Sequence, residues 1–420
     1  MPHWFGKKYS PIGLDLGQTA IRGVQLVRSK NQLAVHAALE QRLDAGLHDS
    51  TETEHKPEFD PKFWAEQLKY LLARGGFQGR DVVLHCPADK LDMRPVELPT
   101  SGSTLPRTAI LGALRLQIGG FLPFAVESAV FDYFVINSNE YDDCVRVMAI
   151  TAEGDGIKQR IDLVESLGLH CLTVDALPCA LARVSAHADS YLAPHPPIPE
   201  LKYELEDTQT KPSELLVGIL DSGYSGSTLI VRKQNRPIFC RRFKLAGSQM
   251  TEIISNRLGV QFNLAEDLKL VNGFDSQARR LRHNEESHRT TSVDEQNSSE
   301  QNPSPSAATV LQTDRSESEI AKTIYAALQS ELGQFVKGMT RSLNYIITEY
   351  GGARLEKIQL CGAAAHTRNL NHYLAHQFDL PVDIMPHPLL SEIAEYLPPS
   401  RAQVGSWTTA LGLALIKEND

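Results

Sequence analysis

The sequence has no long apolar run, few cysteines and no excess of basic residues, and each absence excludes a class of protein. No stretch of about 18 apolar residues occurs, so we expect no segment that spans a bilayer. The six cysteines form no Cys-x-x-Cys pair, and we expect reduced core thiols rather than disulfides or metal ligands. The formal net charge of −9 argues against a broad nucleic-acid surface.

Several motifs of well-known enzyme classes are also missing. There is no Walker A lysine loop, no Gly-x-Gly-x-x-Gly and no Gly-x-Ser-x-Gly, so a serine hydrolase and a Rossmann dehydrogenase are poor fits. His372 and His376 have the spacing of a metalloprotease pair, but Tyr373 stands where that motif needs Glu. The N-terminus lacks a secretory signal, so we expect a cytoplasmic protein.

The chain is long enough for two lobes, and its apolar pattern repeats once. Strands of a β-meander are predicted at 12–16, 20–26 and 33–38, and again at 215–221, 227–232 and 238–243. Two meanders that each open on a strand ending in Asp-x-Gly indicate a duplicated α/β lobe.

Three segments lie outside this repeat. A β-α-β-β-α pattern at 88–167 predicts a compact inserted module. Residues 189–213 are rich in proline and charge and predict a surface connection; His195, His387 and the prolines beside them indicate loops. Residues 274–316 are mostly polar, and we expect a disordered insertion there, followed by a long helix at 317–349.

The first meander supplies a candidate phosphate loop. Asp15 ends a strand and Gly17 follows in a tight turn, where the absence of a side chain allows close approach of an anion. The N–H groups of Gly17, Gln18 and Thr19 can point at a phosphate, and Arg22 can add a positive charge. An ordinary hairpin explains the same residues when this motif is taken alone.

The second meander repeats this order of strand, aspartate and glycine-containing turn about 200 residues later. Asp221 is followed by Gly223 and Ser225 in a Gly-rich turn. Two such hairpins, each at the head of a lobe, can grip a polyphosphate from opposite sides. Asp15 and Asp221 would then face a Mg²⁺ ion, normally through water.

Two further pieces can contact the nucleoside. Small residues after a strand, Gly362, Ala363 and Ala364, let the backbone lie against a base or ribose. Glu266 and Lys269 share a helix face and can reach a ribose hydroxyl and a base, or form a solvated pair. Gly247, in Ala246-Gly247-Ser248, precedes a helix predicted at 249–258.

Taken in order, these motifs resemble the actin-like ATPase superfamily, and within it the PilM family of type IV pilus assembly proteins. The division protein FtsA is a more distant likeness. The matching stretches are 12–21, 220–223, 265–269, 341–346 and 360–364. Ser222, Ser248 and Ala363 depart from the family pattern, and each is expected to add a side chain near the nucleotide.

The resemblance implies an actin-like (ribonuclease H-like) two-lobed α/β fold with an inserted subdomain. It divides the chain into a first lobe at 1–87 and 168–205, an inserted subdomain at 88–167, a second lobe at 214–246 and 350–420, and a further subdomain at 247–349.

It also implies a function, a scaffold for pilus assembly that binds ATP and Mg²⁺ and hydrolyses ATP slowly or not at all. The implied partner is the N-terminal cytoplasmic tail of a PilN-like inner-membrane protein, which would hold the scaffold at that membrane. Two alternatives stay open at this point: a small-molecule or sugar kinase of the same fold, with Asp175 as its best candidate base, and a degenerate secretion-system relative that binds no nucleotide.

Overall fold

A computed structural model describes residues 8–29, 32–43, 60–86, 88–100, 105–122, 124–138, 144–192, 215–273, 305–351, 353–397 and 403–416. The connection predicted at 189–213 lies outside these ranges from residue 193 onward. The insertion predicted to be disordered at 274–316 lies outside them as far as residue 304.

The strands are β1 (Lys8–Tyr9), β2 (Ile12–Leu16), β3 (Ala20–Ser29), β4 (Gln32–Arg42), β5 (Asp81–His85), β6 (Leu91–Pro99), β7 (Ala129–Ser138), β8 (Cys144–Glu153), β9 (His170–Asp175), β10 (Leu215–Ser222), β11 (Ser227–Lys233), β12 (Arg236–Phe243), β13 (Arg354–Cys361) and β14 (Val382–Ile384). The helices are α1 (Pro61–Gly75), α2 (Arg107–Ile118), α3 (Gly154–Ser166), α4 (Leu177–Leu192), α5 (Gly247–Leu258), α6 (Phe262–Val271), α7 (Pro305–Glu349), α8 (Leu370–Phe378), α9 (Pro388–Glu395) and α10 (Thr408–Ala414).

Two sheets share one topology, as the repeated meander predicts. The first has the order β1-β3-β2-β5-β9, with β4 also paired to β3, and the second has the order β12-β11-β10-β13-β14. In each, an antiparallel meander is extended by two parallel strands, β2-β5-β9 and β10-β13-β14. The strands β2 and β10 are therefore equivalent, and Asp15 and Asp221 lie at the carboxyl edges of their sheets, where ligands bind in open α/β folds.

The inserted module has a sheet and a core of its own. Its strands have the order β6-β8-β7. Ile110, Leu114 and Ile118 recur at helical spacing along α2 and pack on the same small core as Val96 and Val147. The other face of this sheet packs against α4 and β12, where Met148 lies in one cluster with Cys240 of the second lobe.

Helix α3 belongs by packing to the first lobe. Leu163 and Val164 join the core around Leu14 and Leu84 instead of the core of the module. The module as a packed unit therefore ends with β8, whereas the predicted boundary at 167 includes α3. The spacing of the apolar residues predicts helix α3, but it does not show that the helix packs on the first sheet.

A shared core joins the lobes. Val24 of the first sheet, Ile219 of the second, and Leu181 of α4 lie in one buried cluster with Trp407 and Leu411. Gly412 makes this packing possible, because a Cβ there would lie 2.5 Å from the carbonyl oxygen of Ala180. The lobes are therefore held together through α4 and α10.

Further sequence predictions need correction. Helix α7 begins at Pro305, twelve residues before the predicted start at 317, so residues 305–316 are helical and not disordered. Proline is well placed at the first position of a helix, and the alanines that follow favour one. Likewise, His387 is the N-cap of α9 and Pro388 its first residue, where a loop was expected.

Another correction concerns Cys144. No disulfide joins any two of the six cysteines, all of which lie in the described ranges, but Cys144 is exposed instead of lying in a core. Among the described residues, no helix combines the length and the apolar character needed to cross a bilayer.

Candidate functional site

Asp15 lies among positively charged side chains. Nε2 of His85 is 3.0 Å from its Oδ1, and Nη1 of Arg22 is 3.8 Å from its Oδ2. Burial acts to raise the pKa of the Asp15 carboxyl, but the hydrogen bond and charge of His85, with Arg22 and Arg160, lower it below its ordinary value. Asp15 is therefore held as a carboxylate.

Asp221 lies near enough to Asp15 to feel its charge, and we call the space beside these two carboxylates, at the carboxyl edges of the two sheets, the cleft; the charge of Asp221 is balanced differently. Burial, with the negative charge of Asp15 as a second cause, raises the pKa of Asp221 to about 7, and His85 and Arg242 oppose this rise. Two carboxylates brought together in this way repel one another, so the site favours a proton or a cation between them.

The first hairpin leaves its amide groups open. Within the described ranges, the N–H groups of Gly17, Gln18 and Thr19 donate to no other backbone group. Gln18 is exposed at the tip, and the carbonyl of Thr19 accepts from the amide of Leu43. A Cβ on Gly17 would lie 2.9 Å from the carbonyl oxygen of Ala20, so this turn needs glycine. Open amides in one tight turn form an anion-binding concavity.

The second hairpin is joined to the start of α5. The amide of Gly247 donates to the carbonyl of Gly223 at 3.0 Å, and the amide and hydroxyl of Ser248 donate to the carbonyl of Tyr224. Ser225 is exposed at the tip of the turn. The second hairpin and the start of α5 together form one side of the cleft. The amide of Gly247 is used in the hydrogen bond that joins them.

Lys269 is buried instead of forming the solvated pair that was one of its two expected roles. Its Nζ donates to Glu266 at 2.6 Å, to the hydroxyl of Thr251 at 2.8 Å and to the carbonyl of Gly247 at 3.0 Å. Burial lowers its pKa, and the charge of Glu266 opposes that effect. Because all three N–H groups of Lys269 are used, its side chain joins α6 to α5. Of the two predicted contacts, only the half-buried Glu266 is accessible from the solvent.

The loop after β13 forms the side of the site next to Asp221. Gly362 has φ +85°, and a Cβ there would lie 2.5 Å from Oδ1 of Asp221 and 2.4 Å from the carbonyl oxygen of Ser222. Ala364 is buried against Gly247, whereas Ala363 is half-buried. The loop therefore lies directly beside the second hairpin.

Arg22 is engaged by a partner that the sequence did not reveal. Its Nε and Nη2 donate to Oε2 of Glu40 at 2.9 and 2.8 Å. A contact from Arg22 to a phosphate would therefore use Nη1, the nitrogen nearest Asp15.

Ser222, one of the departures from the family pattern, does not face the cleft. Successive strand residues point to opposite faces. Asp221 faces the cleft, and Ser222 is buried on the other side, with its hydroxyl 3.5 Å from that of Ser227. The expectation that Ser222 adds a side chain near a nucleotide is wrong, because strand alternation turns it into the core of the second lobe.

The structure adds residues to the site that the motifs missed. His85 ends β5, the parallel neighbour of β2, so its place at the same carboxyl edge was open to inference from topology. Arg160 of α3 is near enough to affect Asp15, and no motif marks it.

Asp175, the candidate base of a kinase, has both oxygens engaged. Oδ1 accepts from the amide of Ala176 at 2.8 Å, and Oδ2 accepts from Arg183 at 2.9 Å. Burial raises the pKa of Asp175 and Arg183 opposes the rise. These two hydrogen bonds fix the Asp175 carboxylate at the start of α4.

A cavity of about 130 Å³ lies where the module, α4 and the second lobe meet. Its lining includes Asp92, Pro178, Thr228 and Arg242. The volume is below the roughly 300–1,000 Å³ of typical ligand pockets, so we do not assign a nucleotide to it.

Comparisons with known proteins agree with this architecture. The family described as "Type IV pilus assembly protein PilM" matches residues 13–280. The solved "PilM-PilN type IV pilus biogenesis complex" contains a similar chain, with TM-score 0.67 and 18% identity over 97% of this chain and 98% of that one.

Two other solved structures are less similar. The ethanolamine utilization protein EutJ from Carboxydothermus hydrogenoformans has TM-score 0.42 and 12% identity over 98% of this chain and 90% of its own. MreB 5 of Spiroplasma citri bound to AMPPNP has TM-score 0.41 and 15% identity over 93% of this chain and 96% of its own.

Proposed function

The chain belongs to the family of the type IV pilus assembly protein PilM and has the actin-like fold, and on this premise we propose that it is an ATP-binding scaffold of pilus assembly. It holds the N-terminal cytoplasmic tail of a PilN-like inner-membrane protein, and this contact places it at the cytoplasmic face of that membrane. The complex named in the similar solved structure supports the choice of partner.

The pairing of the two hairpins carries the nucleotide part of the proposal. Asp15 and Asp221 stand at equivalent strand ends of two duplicated sheets, close enough for the charge of one to raise the pKa of the other. The open amides of the first hairpin and the side chain of Arg160 supply donors for phosphate oxygens, while both ring nitrogens of His85 are already engaged, by Asp15 and by the carbonyl of Cys86. A polyphosphate with its cation fits this distribution of charge.

The two carboxylates also fit Mg²⁺. Among the residues that the structure describes, none forms an ion pair with Asp221, while Asp15 already has His85 at 3.0 Å, so an added divalent charge balances Asp221 most. Two protein carboxylates leave Mg²⁺ most of its water shell, which is its usual preference. The bound ion would neutralise phosphate charge.

Slow or absent hydrolysis agrees with the engaged carboxylates around the cleft. Asp175 is fixed by Arg183, and Glu40 is shared between Arg22 and Arg42. A general base has to point an oxygen at the attacking water, and these ion pairs hold the carboxylates of Asp175 and Glu40 toward arginines instead. The free energy of ATP binding then changes the arrangement of the two lobes instead of supporting repeated hydrolysis.

Titration calorimetry tests the nucleotide site. We expect wild-type protein to bind Mg-ATP more tightly than ATP in EDTA. Asp221→Asn removes the charge that holds the cation, and we expect it to weaken Mg-ATP binding roughly tenfold and to abolish the difference between Mg²⁺ and EDTA. Asp267→Asn is the matched control, because Asp267 is exposed on α6. Absence of heat at millimolar Mg-ATP would exclude the site.

The partner site is proposed at the free edge of the first sheet. Among the described strands, β9 pairs only with β5, and Leu172 on it is 46% exposed. Most natural edge strands are covered or carry charge, because an open edge accepts another strand. An extended tail can add to such an edge through main-chain hydrogen bonds.

A further inference from the structure

We propose that Arg160 recognises the terminal phosphate of the bound nucleotide and thereby sets the preference for a triphosphate. The inference rests on the proposed nucleotide site and adds a specificity-determining residue to it. Arg160 lies on α3, outside both phosphate hairpins and outside every motif discussed above.

The position of α3 brings Arg160 to the phosphate end of the cleft. Arg160 precedes Leu163 and Val164 by three and four residues, so all three share the helix face that packs on the first sheet. The helix is followed by β9, which runs parallel to β5. The beginning of α3 therefore lies toward the carboxyl edge of the sheet, where Asp15 and His85 are found.

One nitrogen of this guanidinium is a buried donor that finds no acceptor in the part of the chain that the structure describes. Nη1 of Arg160 is shielded from solvent and makes no hydrogen bond to any residue that the structure describes. The free energy lost by leaving a charged donor unsatisfied in the interior exceeds the net free energy gained from an ordinary hydrogen bond. Such a donor therefore usually binds a ligand, an ion or water.

The surrounding charges select an anion close to Asp15. The electrostatic neighbours of Arg160 are Asp15, Asp89 and Cys86. None of them accepts a hydrogen bond from it, although Asp15 accepts one from His85. Arg160 is thus drawn to the first hairpin by charge while its N–H remains available, and a phosphate oxygen is the acceptor for which a planar guanidinium is best suited.

The order of contacts along the cleft points to the terminal phosphate. The predicted nucleoside contacts, Glu266 and the loop at 362–364, belong to the second half of the chain and lie together around Gly247. Asp15 and Arg160 belong to the first lobe. A nucleotide whose base lies against the second lobe would place its last phosphate toward Asp15, within the influence of Arg160.

Binding measurements with ATP, ADP and AMP test this assignment. Arg160→Met keeps most of the stem and removes the charge. We expect it to weaken Mg-ATP binding roughly 10- to 100-fold and to leave AMP binding within about twofold. Arg160→Lys restores charge without the planar fork, so it should recover part of the loss. Lys158→Met is the control, since Lys158 is exposed on the same helix.

The thermal midpoint without nucleotide separates recognition from a structural role. Because Nη1 makes no hydrogen bond to any described residue, Arg160→Met should not lower the midpoint. Equal losses for ATP and AMP together with a lower midpoint would overturn the inference. So would a wild-type preference for ATP that Arg160→Met leaves unchanged. Failure of the wild-type protein to bind any of the three nucleotides would instead overturn the nucleotide site itself, and this inference with it.

Discussion

Asp15 and Asp221 show how two copies of one motif acquire different electrostatics. Both end the central strand of a sheet, but Asp15 has a His85 nitrogen at 3.0 Å and a lowered pKa. Burial and the charge of Asp15 raise the pKa of Asp221 to about 7. The duplicated fold thus places one carboxylate that is already balanced opposite one that still needs a counter-charge.

Gly362 is the residue whose replacement should be most damaging to the second half of the site. Gly362→Ala would place a Cβ 2.4 Å from the carbonyl oxygen of Ser222, on a backbone with φ +85°. Strain and steric overlap together should cost at least about 2 kcal/mol. We expect a lower thermal midpoint and weaker Mg-ATP binding.

Gly333→Ala is the matched control for this change. A Cβ at Gly333 meets no atom within 4 Å, and the residue lies in the interior of α7. Alanine is favoured over glycine in a helix by about 1 kcal/mol, so this variant should raise the midpoint. A Gly362→Ala protein as stable as the wild type would show that the loop does not lie so close to the second hairpin.

The sequence predicted the hairpin residues but not their partners. The strand ends and glycines at Asp15, Gly17 and Asp221 follow from local pattern. Glu40, which takes two nitrogens of Arg22, lies opposite it on the next strand of the meander, and Arg160 reaches the cleft from a helix far along the chain. Side-chain pairing across such separations depends on register and helix placement, which a single sequence does not specify.

At the scale of elements, α4 is the connection between the lobes. Arg232 of β11 donates to the hydroxyl of Ser185 at 2.5 Å and also to Asp189, while Lys357 of β13 lies 3.1 Å from Asp189. Ser185 in turn donates to Gln359 at 2.5 Å. One face of α4 is therefore bound to the second sheet by polar contacts, and motion of the lobes has to accommodate this helix.

Helix α9 depends on a neutral histidine at its start. Nδ1 of His387 accepts from the amide of Leu389 at 3.1 Å, so its proton sits on Nε2, which is 2.9 Å from Nδ1 of His187. Burial, with His187 as a second cause, lowers the pKa of His387 from 6.5 to about 4. Protonation would remove the acceptor that caps α9.

This depressed pKa predicts the direction of a stability change with pH. Because the folded state holds His387 neutral, its contribution is complete above pH 6.5 and is lost as the pH falls from 6.5 toward 4. The loss should approach about 3 kcal/mol. Denaturant unfolding of wild type and His387→Asn, measured from pH 7.5 to 4, should show a flatter profile for the variant, since Asn caps without titrating.

His372→Asn serves as the control, because His372 is exposed on α8. Its profile should follow that of the wild type. Parallel profiles for wild type and His387→Asn would mean that His387 does not bear the buried neutral ring.

Elements with a strong period were predicted well, and short or capped ones were not. The bounds of α2 were predicted to the residue, because Ile110, Leu114 and Ile118 repeat at helical spacing. The three-residue strand β14 gives no periodic signal. The prolines beside His387 suggested a loop, although Pro388 in fact begins α9. A proline in a sequence is compatible with the end of one helix and with the first residue of another. Only the surrounding structure distinguishes the two cases.

At the scale of the whole molecule, the inserted module contacts both lobes. It is continuous with the first lobe through β6 and α3, and Arg146 reaches Glu349 of α7 at 2.6 Å. Arg236 of β12 donates to the carbonyl of Val135 at 2.7 Å. A change in the angle between the lobes would therefore act on the module, and on β9 of the first sheet.

This arrangement predicts coupling between nucleotide and partner. A ligand shifts a conformational equilibrium only when it binds the two states with different affinity. ATP held between Asp15 and Asp221 would favour the closed lobes, and a tail on the edge of β9 would favour the state in which that edge is open. Reciprocal effects of about fivefold or more correspond to roughly 1 kcal/mol of coupling.

The edge variant Leu172→Lys gives the partner site a direct control. A lysine on an exposed edge strand opposes addition of another strand. We expect Leu172→Lys to weaken peptide binding about tenfold while leaving Mg-ATP binding intact. Leu264→Lys makes the same change on the exposed face of α6, where Leu264 is 50% exposed, and should leave peptide binding unchanged.

The most direct test of the account is the affinity of a fluorescent peptide, the N-terminal cytoplasmic segment of the PilN-like protein from the same genome. Its anisotropy would be titrated with the full-length protein, with and without Mg-ATP. The account predicts saturable binding whose affinity changes about fivefold or more with Mg-ATP, and a change that is lost in Asp221→Asn. Absence of binding in both conditions, or equal affinity while calorimetry shows Mg-ATP bound, would contradict it.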